Sequence, residues 1–437
     1  MRGILLWIAV YTGCAASVIV SLTAGGTVYI REGIAWTARE TKTAAVFFVQ
    51  SITVTQIQNN YRGVFTAKLT SSAKPAGGGS ASGGRVRILI VPGHRPEAGG
   101  TVFGGLYERD IVVDIADALA VRLSQNPHYD VMVARTKSAW HPVLQSYFDT
   151  HALEIETFRQ SQALQMADHI ANGRFILEEE QVYHNTAPTE AALQLYGINK
   201  WTSDNGYDIT LHLHLNDYAR SRARSVGEYN GFAVYVPDRQ YSNAAASRVV
   251  GSAIAARLAA YHATSTLPQE DAGVVEDQTL IAVGSNNSAN GAALLIEYGY
   301  LYEPQFQESS VRPAAVAEYA FQTYLGLQDF FKDPLVPTSG SISFPYEWAK
   351  VSGKRGEKGP GIYALQAALR SLGYYPPSGK SFSECPISGV ARVCTRSAIM
   401  EYQRAHDIET TGTLGPRTRT ALSREAAEPA EPSFTSP

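Results

Sequence analysis

Positive charge is not in surplus in this chain: 37 Lys and Arg stand against 40 Asp and Glu, a formal net charge of −3. A surface that neutralises phosphates needs an excess of basic residues, so nucleic acid is excluded as a partner. Cysteine is scarce, at three in 437 residues. Cys14 lies in an apolar segment, which leaves Cys385 and Cys394 as a close pair able to bridge in an oxidising compartment, or to stay as two free thiols. Apolar residues are not scarce, at 45%, and that excludes a chain disordered throughout. The length exceeds what one core ordinarily serves and implies two or three units.

The long apolar run is at the start. Residues 3–23 are almost wholly apolar and uncharged, with Arg2 before them and Arg31 after. That is about the 20 residues a helix needs to cross a bilayer. The expectation is an N-terminal transmembrane helix over 1–24, single-pass, with the remainder outside the cytoplasm. A signal segment cleaved near Ala24, giving a secreted protein, and a lipoprotein signal at Cys14 are the rival readings, and all three export the chain.

Residues 25–84 read as a membrane-proximal stalk that ends in a Gly- and Ser-rich linker over 71–84. Over 85–332 the pattern alternates. Strand-like runs fall at 86–91, 129–134, 207–215, 232–236 and 292–297, and helix-like spacing at 108–123, 154–170, 243–261 and 314–331. This rhythm predicts an α/β fold, a mostly parallel twisted sheet with helices on both faces. The polar stretch 173–207 breaks the rhythm and reads as an insertion or lid. A linker over 333–358 leads to a small three-helix unit over 359–424, and the tail 425–437 reads as disordered.

Chemistry-bearing residues gather at strand ends. His94 directly follows the first apolar run, at the carboxyl edge of the sheet where open α/β folds place their ligands. Glu108 opens the next helix, where the helix dipole favours a carboxylate. Alternation over 208–216 puts His212 and His214 on one face and Leu211, Leu213 and Leu215 on the other, so either histidine is placed to reach a metal. Glu297 closes an apolar strand, where a carboxylate has no place in a core without a partner. Two histidines and a carboxylate are the ligand set of an open catalytic zinc site, and a further glutamate is the base such a site uses.

Four segments, in this order, carry a family resemblance: Pro92-Gly93-His94, Gly104-Gly105-Leu106-Tyr107-Glu108-Arg109-Asp110, Leu213-His214-Leu215-Asn216 and Leu295-Ile296-Glu297-Tyr298-Gly299-Tyr300. They resemble the motifs of the type 3 zinc-dependent N-acetylmuramoyl-L-alanine amidases, which cleave bacterial peptidoglycan, and the resemblance runs from 86 to 331. It implies Zn2+ held by His94, Glu108 and His214, with Glu297 as the catalytic residue. His214 is selected over His212 because the family's ligand stands two residues before an Asn or Asp, here Asn216. His212 and Asn216 then read as groups that orient a ligand or touch substrate. Val91 and Arg95 stand where Asp and Gly are usual, and the stretch around 173–207 is extra.

The C-terminal unit is similar to the three-helix peptidoglycan-binding domain of wall hydrolases, through Leu365-Gln366, Leu372-Gly373-Tyr374-Tyr375, Tyr402-Gln403 and Gly412-Thr413-Leu414-Gly415. A longer segment around Cys385 and Cys394 replaces the usual glycine turn. Together the two resemblances imply hydrolysis of the amide between N-acetylmuramic acid and L-Ala of the stem peptide, in wall remodelling, turnover or daughter-cell separation. Peptidoglycan is the expected partner, the membrane a second, and an activator protein a third if the insertion closes the cleft. Two alternatives stand beside this reading: an inactive amidase-like wall-binding or regulatory protein, and a zinc peptidase acting on stem peptides.

Overall fold

The computed structural model describes residues 7–10, 18–22, 28–29, 52–61, 85–178, 182, 187–218, 220, 222, 225–284, 288, 290–332 and 340–427. At the N-terminus β1 (Trp7–Val10), β2 (Val18–Leu22) and β3 (Val28–Tyr29) pair antiparallel, and α1 (Val54–Tyr61) follows. The main domain then runs β4 (Val86–Pro92), the hairpin β5 (Val102–Phe103) and β6 (Leu106–Tyr107), α2 (Glu108–Ser124), β7 (Tyr129–Val133), α3 (Pro142–Thr150), α4 (Ala152–Ala171) and α5 (Thr189–Asp204). It continues with β8 (Ile209–Asn216), β9 (Ala233–Pro237), α6 (Ala244–Tyr261), β10 (Val274–Asp277), β11 (Ala292–Tyr300), α7 (Pro304–Gln307) and α8 (Arg312–Phe331). The C-terminal unit contributes α9 (Pro360–Ser371), α10 (Val393–Ala405) and α11 (Pro416–Ala427).

Six strands form the central sheet in the order β10-β9-β11-β8-β4-β7. Neighbours from β11 to β7 are parallel, whereas β9 runs antiparallel to β11 and carries β10 in parallel on its far side. The sheet is therefore mixed. The physical reason is the connection after Asn216: no helix of the described residues intervenes before Ala233, so the chain turns back at the edge where β8 ends.

Period-two alternation sorts the side chains between two faces. Ile88, Ile90, Leu211, Leu213, Leu294 and Ile296 pack against α2, α6 and α8, and each such fully buried side chain contributes about 1.5–3 kcal/mol. Leu89 and Val91 face the other way, onto Leu144 and Phe148 of α3 and Ile198 and Trp201 of α5. Helices thus cover both faces, as the strand and helix rhythm implied.

Two expectations are revised, and a third falls mostly outside the described residues. The second half of the 173–207 stretch is α5, which packs on the sheet as a structural layer and is not a flap; Ile198 and Trp201, with Leu193 and Tyr196 beside them, join the core on that face. Part of the 25–84 stalk belongs to the core. Ile57 and Tyr61 of α1 are buried, and the Tyr61 ring stacks on Phe331 with centroids 4.4 Å apart. Of the segment expected to be a transmembrane helix, the residues described are β1 and β2, which are strand, in keeping with their Val and Ile content; the rest lies outside the described residues. No helix among the described residues is long and apolar enough to cross a membrane.

The C-terminal unit is docked rather than merely tethered. One continuous apolar core includes Tyr319 and Phe331 of α8, Trp348 of the connector and Ile362 and Tyr363 of α9. Tyr261 Oη lies 2.7 Å from Ser371 Oγ, Arg370 Nε donates to the Ala260 carbonyl at 3.0 Å, and Lys358 Nζ reaches Glu308 at 2.6 Å. A disulfide joins Cys385 to Cys394, whose Cα atoms are 5.9 Å apart. Of the 425–437 tail, residues 425–427 complete α11 and the remainder lies outside the described residues.

Candidate metal centre

The site begins where β4 ends. Gly93 N donates to the Leu213 carbonyl at 2.8 Å, and His94 then adopts φ 68°, a left-handed conformation that costs a non-glycine residue about 1–2 kcal/mol. The turn is held from behind by Arg135, 1% exposed, which donates to the carbonyls of Pro92 (3.1 Å), Gly93 and Arg109 (2.9 Å). Two glycines make room for the rings. A Cβ on Gly93 would meet His214 Cε1 at 2.4 Å, and one on Gly100, at φ 81°, would meet His94 Cδ2 at 2.9 Å.

Glu108, the first residue of α2, is 2% exposed. Its Oε2 accepts from Thr101 N at 2.8 Å and its Oε1 from Leu215 N at 3.0 Å. The same Oε1 lies 2.8 Å from His94 Nε2 and 3.2 Å from His214 Nδ1. Burial acts to raise the Glu108 pKa, but His94 and His214 beside it prevail and hold the carboxyl well below its ordinary value. Burial lowers the pKa of His214 against the opposing pull of Glu108, which keeps the imidazole neutral, the form that donates a lone pair to a metal.

Ligand atoms of His94, Glu108 and His214 all lie within 4.8 Å of one another. The three fit a divalent cation on two grounds. Two imidazoles and a carboxylate suit zinc, and His94 Nε2 is buried without a hydrogen-bond partner despite its approach to Glu108, an orphaned lone pair that a cation would engage.

Glu297 sits in register with His214 across the β11 and β8 pair, so the two side chains share one face at the same edge. Its Oε2 is buried without a partner. Burial, then the charges of Glu108 and Glu270, push its pKa well above the usual carboxylate value.

His212, which spacing alone made an equal candidate, is outside the ligand group. It lies two positions back between Val91 and Leu295, is 0% exposed, and has no hydrogen-bond partner on either ring nitrogen. Burial pushes its pKa down to about 3, so it is a neutral core residue closed to substrate. Asn216 donates through Nδ2 to both oxygens of Glu270, at 2.8 and 3.1 Å. Glu270 was not anticipated: it stands in a short turn, Pro268–Glu270, after a Leu-Pro pair, with no local pattern to mark it. Arg95 was noted only as a departure, yet it reaches Glu190 of α5.

Fold and site together define an α/β protein whose sheet carries, at its carboxyl edge, the ligand set for one divalent cation with a free carboxylate alongside. The chain belongs to the N-acetylmuramoyl-L-alanine amidase family, whose model matches residues 88–329, more than half of its length. Membership supports hydrolysis of peptidoglycan amides. Residues 358–422 match a peptidoglycan binding domain, which supports peptidoglycan as the partner.

Similar solved structures include the CwlD amidase from Clostridioides difficile in complex with the GerS lipoprotein, at 15% identity over 57% of this chain and 99% of that chain, TM-score 0.36. Another is the N-acetylmuramyl-L-alanine amidase from Mycobacterium smegmatis, at 13% identity over 56% of this chain and 97% of that chain, TM-score 0.36. No curated protein matches the chain.

Proposed function

We propose that this chain is a zinc-dependent amidase that cuts the bond between the lactyl group of N-acetylmuramic acid and L-Ala of the stem peptide, in wall remodelling, turnover or daughter-cell separation. The observation that carries the reading is Glu297 in register with His214, beside Glu108 and its two imidazoles. Zinc held by His94, Glu108 and His214 would supply a Lewis acid for the amide carbonyl and the attacking water.

The chain's own groups do the rest. Glu297 Oε2, with no internal partner, takes one proton from the attacking water as its oxygen bonds to the carbonyl carbon. As the C–N bond breaks, the same proton passes to the departing nitrogen, leaving a free L-Ala amine. A nearby cation would counter the charges of Glu108 and Glu270 and bring the Glu297 pKa back down toward the working range of a base. Arg135 and the buried Glu108 contacts keep the ligand turn rigid through the cycle.

The location proposed is outside the cytoplasm, with residues 1–24 as a membrane anchor or export signal; the apolar run and the Cys385–Cys394 bridge support it. The test is to add the full chain to purified peptidoglycan with and without a chelator and to identify products by mass spectrometry. Chelator-sensitive release of intact stem peptides with a free L-Ala amine is expected. Peptides cut internally would make it a peptidase. No release by a folded, zinc-loaded chain would overturn the reading unless an added activator restored it, and a chain that binds no zinc would point to a wall-binding protein.

A further inference from the structure

Glu270 is a carboxylate with 0% exposure, and burying such a group is costly unless donors surround it. Three side chains supply them: Asn216 Nδ2 at 2.8 and 3.1 Å, the Tyr235 hydroxyl, and the Tyr300 hydroxyl at 3.4 Å. These donors come from the strands that build the candidate metal centre. Asn216 is the last residue of β8, two after His214 and so on its face; Tyr300 is its register partner on β11; Tyr235 lies on β9 opposite Leu295, two residues before Glu297.

The contact with Asn216 has a chemical consequence. Of the two ends of a carboxamide, only the nitrogen can donate to a carboxylate, so Glu270 claims Nδ2 and turns Oδ1 the other way. Asn216 is only partly buried, so an acceptor oxygen is presented at the same sheet edge as His214.

We propose that Glu270 is a positioning residue: it holds the Asn216 carboxamide in one orientation, so that Oδ1 accepts the N–H of the amide being cut. This rests on the amidase reading. An acceptor on that N–H turns the lone pair that develops on the nitrogen away from Asn216, free to take the proton that Glu297 returns. Glu270 itself touches neither substrate nor metal ligand, and Tyr235 and Tyr300 keep its carboxylate in place.

The test compares Glu270→Gln, Asn216→Ala and the double variant in the full zinc-loaded chain, on the amide substrate and on an ester analogue that lacks the N–H. Each single variant is expected to lower kcat about tenfold with KM and zinc content near those of the parent, and the double variant to be no worse than Asn216→Ala. On the ester, parent and Asn216→Ala are expected to agree within about twofold. Multiplying losses in the double variant, or an equal loss on the ester, would overturn the proposal. Should Glu270→Gln fail to fold, the comparison of amide and ester for Asn216→Ala decides.

A readout without turnover separates this proposal from the amidase reading. In the full chain labelled with 15N-asparagine, the Asn216 side-chain amide hydrogens are expected to exchange slowly, and fast in Glu270→Gln. Fast exchange in the parent would sink the positioning role whatever the activity. Slow exchange in a parent that cuts no amide even with an added activator would sink the amidase reading and the substrate contact, while the Glu270 contact with Asn216 would stand.

Discussion

Arg95 grips Glu190 with two hydrogen bonds of 2.8 and 2.9 Å, and so ties the residue after His94 to the first turn of α5. Arginine in place of the usual glycine and the extra 173–207 stretch looked like unrelated departures from the family pattern, and here they meet. The Glu190 side chain is 65% exposed, so the pair contributes only about 0–1 kcal/mol to global stability. Its effect is local. Arg95→Gly is expected to lower Tm by about 1–3 °C yet to speed amide hydrogen exchange in the first turn of α5 several-fold, and Arg95→Lys to retain part of the protection. Unchanged exchange in Arg95→Gly would show that α5 holds by its apolar face alone.

The two histidines of β8 should separate in a zinc assay. His214→Leu is expected to abolish stoichiometric binding. His212→Leu should retain it, with stability unchanged or raised by about 1 kcal/mol, because two unpartnered buried nitrogens are replaced by an apolar side chain of similar size. Zinc loss in His212→Leu would place that ring in the ligand set after all.

Glu297→Gln keeps the shape of the side chain and removes its basicity. Zinc content and Tm should stay close to the parent values while kcat falls by about 10²–10⁴. Activity within a few-fold of the parent would show that another group moves the proton.

Glu318, buried on α8, accepts from Ser341 Oγ at 2.6 Å and Gln322 Nε2 at 2.7 Å. Burial, only partly opposed by these donors, raises its pKa from 4.5 to about 7. The folded state therefore holds a proton that the unfolded chain releases, and the stability this gives is complete below pH 4.5 and fades as pH rises to 7. A shift of that size corresponds to on the order of 3 kcal/mol. Calorimetry should find Glu318→Gln more stable than the parent at pH 8 but not at pH 4.5; equal Tm differences at both would refute the linkage.

The Cys385–Cys394 bridge closes a loop with a sequence separation of nine. Replacing both by serine should cost about 2–3 kcal/mol in urea unfolding of the full chain. A midpoint that does not move would mean that the docked helices already restrain this loop.

By itself the sequence determined the alternation of strands and helices, the residues that end at the carboxyl edge, and the family, because period-two and helical patterns and short motifs are local properties of a chain. Glu108 was legible as a ligand only through the family motif Gly104-Gly105-Leu106-Tyr107-Glu108-Arg109-Asp110, because a helix-opening carboxylate by itself is already accounted for by the helix dipole. Other features needed the tertiary structure. The direction of β9 depended on which edge the chain returns from, and the choice of His214 over His212 became physical only when burial closed one ring off and left the other at the cleft. Glu270, Arg95 and the docking of α9 on α8 rest on contacts between separate segments, 54 positions apart for Asn216 with Glu270 and 95 for Arg95 with Glu190, where no local pattern records which groups will meet. Such pairings are settled only when the sheet order brings distant segments together and each buried polar group must find its partner there.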